Sequence, residues 1–197
     1  MSEVTTDQDL LERATRGDES AFMSLYNRHR DMVFRFAYRM ISSADSAEDI
    51  THDCFLSLMK HPKRFDASRA SLRTYLCAAA RNLVLKRFHG TSHQVALDEL
   101  PEALAVSGGP GPLGELLDKE LAEVVRTALT SLAPLQREAL ILFEYENMTL
   151  VEIAAVVSAD VGTVKARLHR GREQLRRQLA PYFKSSPRGI AVERCQQ

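Results

Sequence analysis

Residues 149–172 constrain this chain more than any other stretch. Thr149-Leu150-Val151-Glu152 has the form of a capping box, in which the hydroxyl and the carboxylate each satisfy a backbone N–H at a helix start. Leu150, Ile153, Ala154 and Val157 then recur at helical spacing, so a short helix follows and ends at a turn around Ser158 and Ala159. Another helix begins near Val161. Its apolar stripe, Val164, Leu168, Gly171 and Leu175, leaves Thr163, Ala166, His169 and Arg170 facing outward, with Lys165, Arg167 and Arg172 beside them. Short helix, tight turn and basic helix together describe a helix-turn-helix. A helix entering the major groove needs leading residues that are small or able to hydrogen-bond base edges, and Gly162, Thr163, Ala166 and Arg170 meet that need. Lys165, Arg167 and Arg172 suit flanking phosphates. Taken alone, the segment also fits an amphipathic hairpin with one basic face.

Helical periodicity extends over most of the chain, and strand-like alternation is scarce. Phe22, Leu25, Tyr26, Val33, Phe36, Ala37, Met40 and Ile41 predict a long helix opened by Asp18. Ser46-Ala47-Glu48-Asp49 predicts a second helix start, with a stripe of Ala47, Ile50, Cys54 and Leu58 that stops before Pro62. After a polar loop from Pro62 to Ala70, Leu72, Leu76, Ala79 and Leu83 predict another apolar face, with Arg73 and Arg81 projecting away from it. From Gly90 to Glu115 the periodicity lapses, and five of the nine glycines and three of the seven prolines gather there. It resumes with Leu117, Leu121, Val124, Val125, Ala128 and Leu129, and again from Pro134 with Leu135, Ala139, Leu142 and Phe143. The expectation is an all-α protein: a helical domain over 1–90, a flexible linker over 91–115, a helix-turn-helix domain over 116–184 and a disordered tail over 185–197.

A net charge of zero argues at first against a nucleic-acid partner, yet the charges are segregated. Between Lys60 and Gly90 eight basic residues face only Asp66; between Asp98 and Glu123 seven acids face only Lys119; from Asp160 to Lys184 seven basic residues face two acids. Two basic zones around an acidic spacer point to two nucleic-acid contacts. No apolar run reaches membrane-spanning length, and the start of the chain lacks the basic and apolar regions of a secretion signal, so a cytoplasmic location is expected. Cys54, Cys77 and Cys195 have neither disulfide-framework nor zinc-site spacing. No metal, cofactor or catalytic set is expected, because the adjacent His52, Asp53 and Cys54 point in different directions on a helix.

Three segments in order resemble the bacterial RNA polymerase sigma factors of the extracytoplasmic-function (ECF) group. Residues 161–172, VGTVKARLHRGR, are similar to that family's promoter-reading helix; 46–55, SAEDITHDCF, to its core-polymerase-binding segment; and 80–83, ARNL, to the centre of its promoter-opening helix. The resemblance implies a sigma region 2 bundle followed by a region 4 helix-turn-helix domain. It implies that Glu48, Asp49, Asp53 and Phe55 dock to the largest subunit of core RNA polymerase and that the second domain grips the second-largest subunit. Arg81, Asn82 and Lys86 would face the minus-ten promoter element, with Arg69, Arg73 and Arg87 on its phosphates and Phe65 in a loop that captures a flipped base. Thr163, Lys165, Ala166, Arg167, His169, Arg170 and Arg172 would engage the minus-thirty-five element. An anti-sigma factor is the regulatory partner that the family implies. The chain departs from the family pattern at Tyr75, Lys86 and Ser158, and Lys86 bears on the minus-ten sequence preferred. Two other readings are a stand-alone helix-turn-helix regulator, which predicts tight duplex binding without polymerase, and a sigma-mimicking decoy for an anti-sigma factor, which should lack Lys165, Arg167 and Arg170.

Overall fold

The computed structural model describes residues 5–90 and 112–185. Among these residues the chain is all-α, with eight α-helices and no strand. Most of the expected linker, and the expected tail beyond Ser185, lie outside the described residues.

The first helix, α1 (Asp7–Thr15), was not anticipated by the periodicity of the sequence. Thr6 and Asp9 form its capping box, a signal obscured because the returning carboxylate is Asp where Glu or Gln is usual. Leu10, Leu11 and Ala14 pack it against α2 (Glu19–Ile41), and Asp7 pins it further through His29 Nε2 at 2.8 Å and Arg28 at 2.6 Å. Helix α2 starts at Asp18 as expected, and ends at Ser42, whose φ of 55° is left-handed. Helix α3 (Ala44–Lys60) begins earlier than expected: Ser43 is the cap, and Ser46 lies inside the helix. The stripe of Ala47, Ile50, Cys54 and Leu58 is buried as predicted.

Helix α4 (Leu72–Gly90) buries Leu72, Leu76, Ala80 and Val84, with Cys77 beside them, whereas Ala79 and Leu83 are half-buried. The buried line is rotated from the predicted one because α4 has neighbours on more than one side, α2 and α3 on one and α7 on another.

In the second half, α5 (Pro112–Thr130) starts inside the segment expected to be linker, and α6 (Pro134–Leu140) runs into a π-helical turn, Ile141–Tyr145. The expected helix-turn-helix follows as α7 (Leu150–Val157) and α8 (Val161–Ser185). Thr149 and Glu152 make the anticipated capping box, and Ser158 at φ 51° turns the chain between the helices. Gly171 lets α8 approach α6 closely, since a Cβ there would lie 2.7 Å from Leu140 Cδ1. The two halves share one continuous apolar core, with α2 against α5 and α6 and α4 against α7.

Two measurements test these local arguments. Gly171→Val forces Leu140 aside and is expected to destabilise the protein by about 1–3 kcal/mol in denaturant titrations. The Asp18 carboxyl is held down to about 2, first by the Ala21 N–H and then by Arg13 and Ser20. Its ionised form therefore stabilises the fold above the ordinary carboxylate pKa, and that contribution is lost as pH falls toward 2. Thermal melts of wild type and Asp18→Asn are expected to differ at pH 5 and to converge at pH 2.

Candidate nucleic-acid interface

The geometry of the promoter-reading candidate begins at Asp160, which accepts from the Thr163 N–H at 2.8 Å and from the Thr163 hydroxyl at 2.6 Å. These bonds satisfy orphan donors at the start of α8 and fix Thr163 in place. Val164, Leu168 and Gly171 are buried, so the helix rolls Lys165, His169 and Arg170 into solvent. Ala166 is half-buried. Arg172 is exposed but tied within its own half, 2.6 Å from Glu144 and with its guanidinium 5.0 Å from the centre of the Phe143 ring. Arg167 departs from the outward placement expected of it. It lies 3.2 Å from Glu138 and retains only 18% side-chain exposure.

On α4, Asn82 and Lys86 are exposed, and Arg69 is exposed in the loop before it. Arg87 reaches Asp49 of α3 at 3.1 Å. Arg73 and Arg81 project from the core of the first half, as predicted, but into the second half and not into solvent. Arg73 donates to the backbone carbonyl of Glu146. Arg81 grips Glu138 with two nitrogens, at 2.7 and 3.3 Å, and its side chain is 12% exposed. The physical reason is charge: Glu138 has no exposed surface, and a buried carboxylate needs cations around it. Burial still pushes the Glu138 carboxyl above its ordinary range, against the pull of Arg81 and Arg167.

Phe65 is half-buried edge-on against Tyr75, with ring centroids 5.6 Å apart. Beside it, Asp66 accepts from the N–H and hydroxyl of Ser68, which shapes a tight polar loop. On α3, Glu48, Asp49 and Asp53 are exposed along one side, as a docking surface requires. Phe55 is not part of that surface. It is 2% exposed and packs edge-on against Tyr26 at 4.8 Å, because its turn of α3 faces α2. The neighbouring apolar side chain that does reach solvent is Leu56.

Sequence reasoning missed the polar seam between the halves. Glu146 is buried, with Arg39 at 3.4 Å and Arg35 at 3.7 Å from its carboxylate. Arg39 also lies 4.2 Å from the centre of the Tyr145 ring. Arg137 donates to the carbonyls of Met40, at 2.6 Å, and of Leu132 and Thr130, so one guanidinium caps the ends of α2 and α5 together. These partners lie far apart in the chain, and no local pattern announces them.

The all-α fold with a helix-turn-helix behind a first helical bundle, together with matches of both halves to sigma-70 family models, makes this a two-domain protein of the sigma-70 type. Residues 25–93 match the family model for sigma-70 region 2, and residues 122–175 match that for sigma-70 region 4. The chain is 30% identical over 194 residues to the ECF RNA polymerase sigma-E factor of Escherichia coli K12, covering 93% of this chain and all of that protein. It is 29% identical over 177 residues to the ECF sigma factor SigW of Bacillus subtilis, covering 86% of this chain and 94% of SigW. The chain belongs to the ECF RNA polymerase sigma factors, the proteins that direct promoter-specific transcription initiation. Its fold is similar to that of CnrH in complex with the cytosolic domain of CnrY, with a TM-score of 0.66 at 23% identity over 89% of this chain and 97% of that one. It is likewise similar to the sigma factor RpoE in complex with the anti-sigma factor NepR from Bartonella quintana, with a TM-score of 0.61 at 23% identity over 77% and 91%.

The burial of Phe55 has a direct test. Phe55→Ala is expected to destabilise the protein by about 3–5 kcal/mol in urea titrations, the effect of emptying a core aromatic site. The exposed Leu56→Ala is expected to shift stability by about 0.5 kcal/mol or less.

Proposed function

We propose that the two domains, assigned to residues 1–90 and 116–184, engage one promoter at two places while mounted on core RNA polymerase. The observation that carries this reading is the exposed set Lys165, His169 and Arg170 on a capped, rigidly packed helix of a helix-turn-helix. Arg170 has the reach and the donors to pair with a base edge. Lys165 suits a phosphate, and Thr163, Ala166, Arg167 and Arg172 complete the minus-thirty-five surface. On the first domain, Arg81, Asn82 and Lys86 meet the minus-ten element, while Arg69, Arg73 and Arg87 hold its backbone. The half-buried Phe65 forms the wall of the loop that receives an unstacked base.

Glu48, Asp49 and Asp53 form an acidic strip on α3 that complements a basic surface of the largest polymerase subunit, and exposed Leu56 supplies an apolar contact beside it. The second domain meets the second-largest subunit. Linkage through the polymerase turns two weak DNA contacts into one specific one, so no catalysis by the chain itself is required. This location on polymerase goes with a cytoplasmic protein; no described helix is long and apolar enough to cross a membrane. An anti-sigma factor is a fitting regulator, since the sigma factor RpoE, similar in fold, is in complex with the anti-sigma factor NepR.

The test is transcription in vitro with core polymerase and a library of promoters. The chain is expected to stimulate a subset of them, and failure on every promoter overturns the reading. On a responsive promoter, Arg170→Ala is expected to lower initiation roughly 10- to 100-fold and to relax preference at one minus-thirty-five position, corresponding to about 1–3 kcal/mol. Lys165→Ala is expected to weaken binding about equally across sequences and to reduce the salt dependence.

A further inference from the structure

The first turn of α8 holds a hydroxyl whose hydrogen is already engaged. Asp160 is exposed, and its carboxylate accepts the Thr163 N–H at 2.8 Å through Oδ1 and the Thr163 hydroxyl at 2.6 Å through Oδ2. These bonds hold the Asp160 carboxyl below its ordinary range, the Thr163 hydroxyl contributing most. At neutral pH the group is therefore ionised and only accepts, so the Thr163 hydroxyl is the donor between them. Gly162 belongs to the same arrangement: a Cβ there would stand 2.9 Å from Asp160 Oδ1, so the glycine leaves the carboxylate room to lie over the helix start. The Val164 N–H closes the turn on the Asp160 carbonyl at 3.1 Å. A hydroxyl has one hydrogen and two acceptor lone pairs. With the hydrogen engaged by Asp160, the half-buried Thr163 has only lone pairs to offer a ligand.

We propose that Asp160 is a positioning residue that sets base specificity at the minus-thirty-five element: by holding the hydrogen of the Thr163 hydroxyl, it makes Thr163 an acceptor that selects a base with an exocyclic amino group in the major groove. The proposal rests on the promoter-binding reading above, which puts Thr163 on the minus-thirty-five surface. In the major groove the donors are adenine N6 and cytosine N4, whereas guanine presents only acceptors and thymine an acceptor and a methyl group. An acceptor-only hydroxyl pairs with the first two and is repelled by the oxygens of the others. Phosphate oxygens accept as well, so the engaged hydroxyl suits a base and not the backbone. Thr163 and Arg170 lie seven residues apart, about two helical turns and roughly 10 Å along one face of α8. At about 3.4 Å per base, the amino-bearing base falls roughly three steps from the one that Arg170 reads. Arg170 only donates, so the helix reads opposite hydrogen-bond polarities at its two contacts.

The test is transcription by core polymerase loaded with the full chain, from a promoter library randomised across the minus-thirty-five region, with the transcripts sequenced. Wild type is expected to favour adenine or cytosine over guanine and thymine about fivefold at one position, and the library distinguishes the two. Asp160→Asn keeps a competent helix cap. Because the Thr163 N–H only donates, the Asn oxygen turns to it and the amide nitrogen turns to the Thr163 oxygen, which frees the hydroxyl hydrogen. That variant is expected to reverse the preference toward guanine or thymine at the same position. Loss of a negative charge alone tightens binding to all sequences alike and reverses nothing. Thr163→Ser is expected to keep the wild-type preference and Thr163→Val to lose it, which separates the hydroxyl from the methyl group. On the preferred promoter, a base analogue without the amino group, purine for adenine or 2-pyrimidinone for cytosine, is expected to lower wild-type initiation about fivefold and to leave Thr163→Val unaffected. Thermal melts check that each variant stays folded, and the analogue with unaltered protein decides if a variant does not. No preference for an amino base in wild type, an Asp160→Asn preference unchanged from wild type, or a wild type indifferent to the analogue overturns the proposal. An active wild type with any of these results loses only the role of Asp160. A wild type inactive on every promoter loses the promoter-binding reading, and the proposal with it.

Discussion

A carboxylate with no exposed surface must be surrounded by cations, and Glu138 draws them from two helices that lie far apart in sequence. Arg81 approaches it from α4 and Arg167 from α8, so its charge fixes how the first bundle faces the helix-turn-helix. Glu146 repeats the constraint eight residues further along, just past the π-helical turn, with Arg35 and Arg39 of α2. Arg137 adds a third tie by capping the carbonyl ends of α2 and α5 at once. Around these polar points the apolar core continues without a break between the halves.

The seam divides the basic residues into two sets with different electrostatic circumstances. Arg73, Arg81 and Arg167 are held by internal acceptors, whereas Asn82, Lys86, Lys165, His169 and Arg170 face solvent. A nucleic acid that approaches the closed chain meets only the second set. The first set is out of reach while the two halves are packed together.

Much of this was legible in the residues because it is local. Asp18 and Thr149 announce helix starts that the structure keeps, since a cap needs only the next three residues. Val164, Leu168 and Gly171 mark the buried side of α8 through spacing alone, and the opposite side follows from it. Where competing local signals existed, the reading slipped: Ser46 looked like a cap, but Ser43, three residues earlier, takes that role. Phe55 shows the limit of carrying a motif over as a block, because a segment that docks to a partner as a helix still buries one of its sides in its own domain.

What the sequence by itself determined is therefore the helical class, the order of the two domains and the outward side of the recognition helix, all of which rest on periodicity and capping within a few residues. The tertiary structure alone decided which arginines are held by internal acceptors and which face solvent. That outcome depends on Glu138 meeting Arg81 across 57 residues and Glu146 meeting Arg39 across 107. Coulombic pairing in a buried seam acts through space, and no spacing along the chain encodes it.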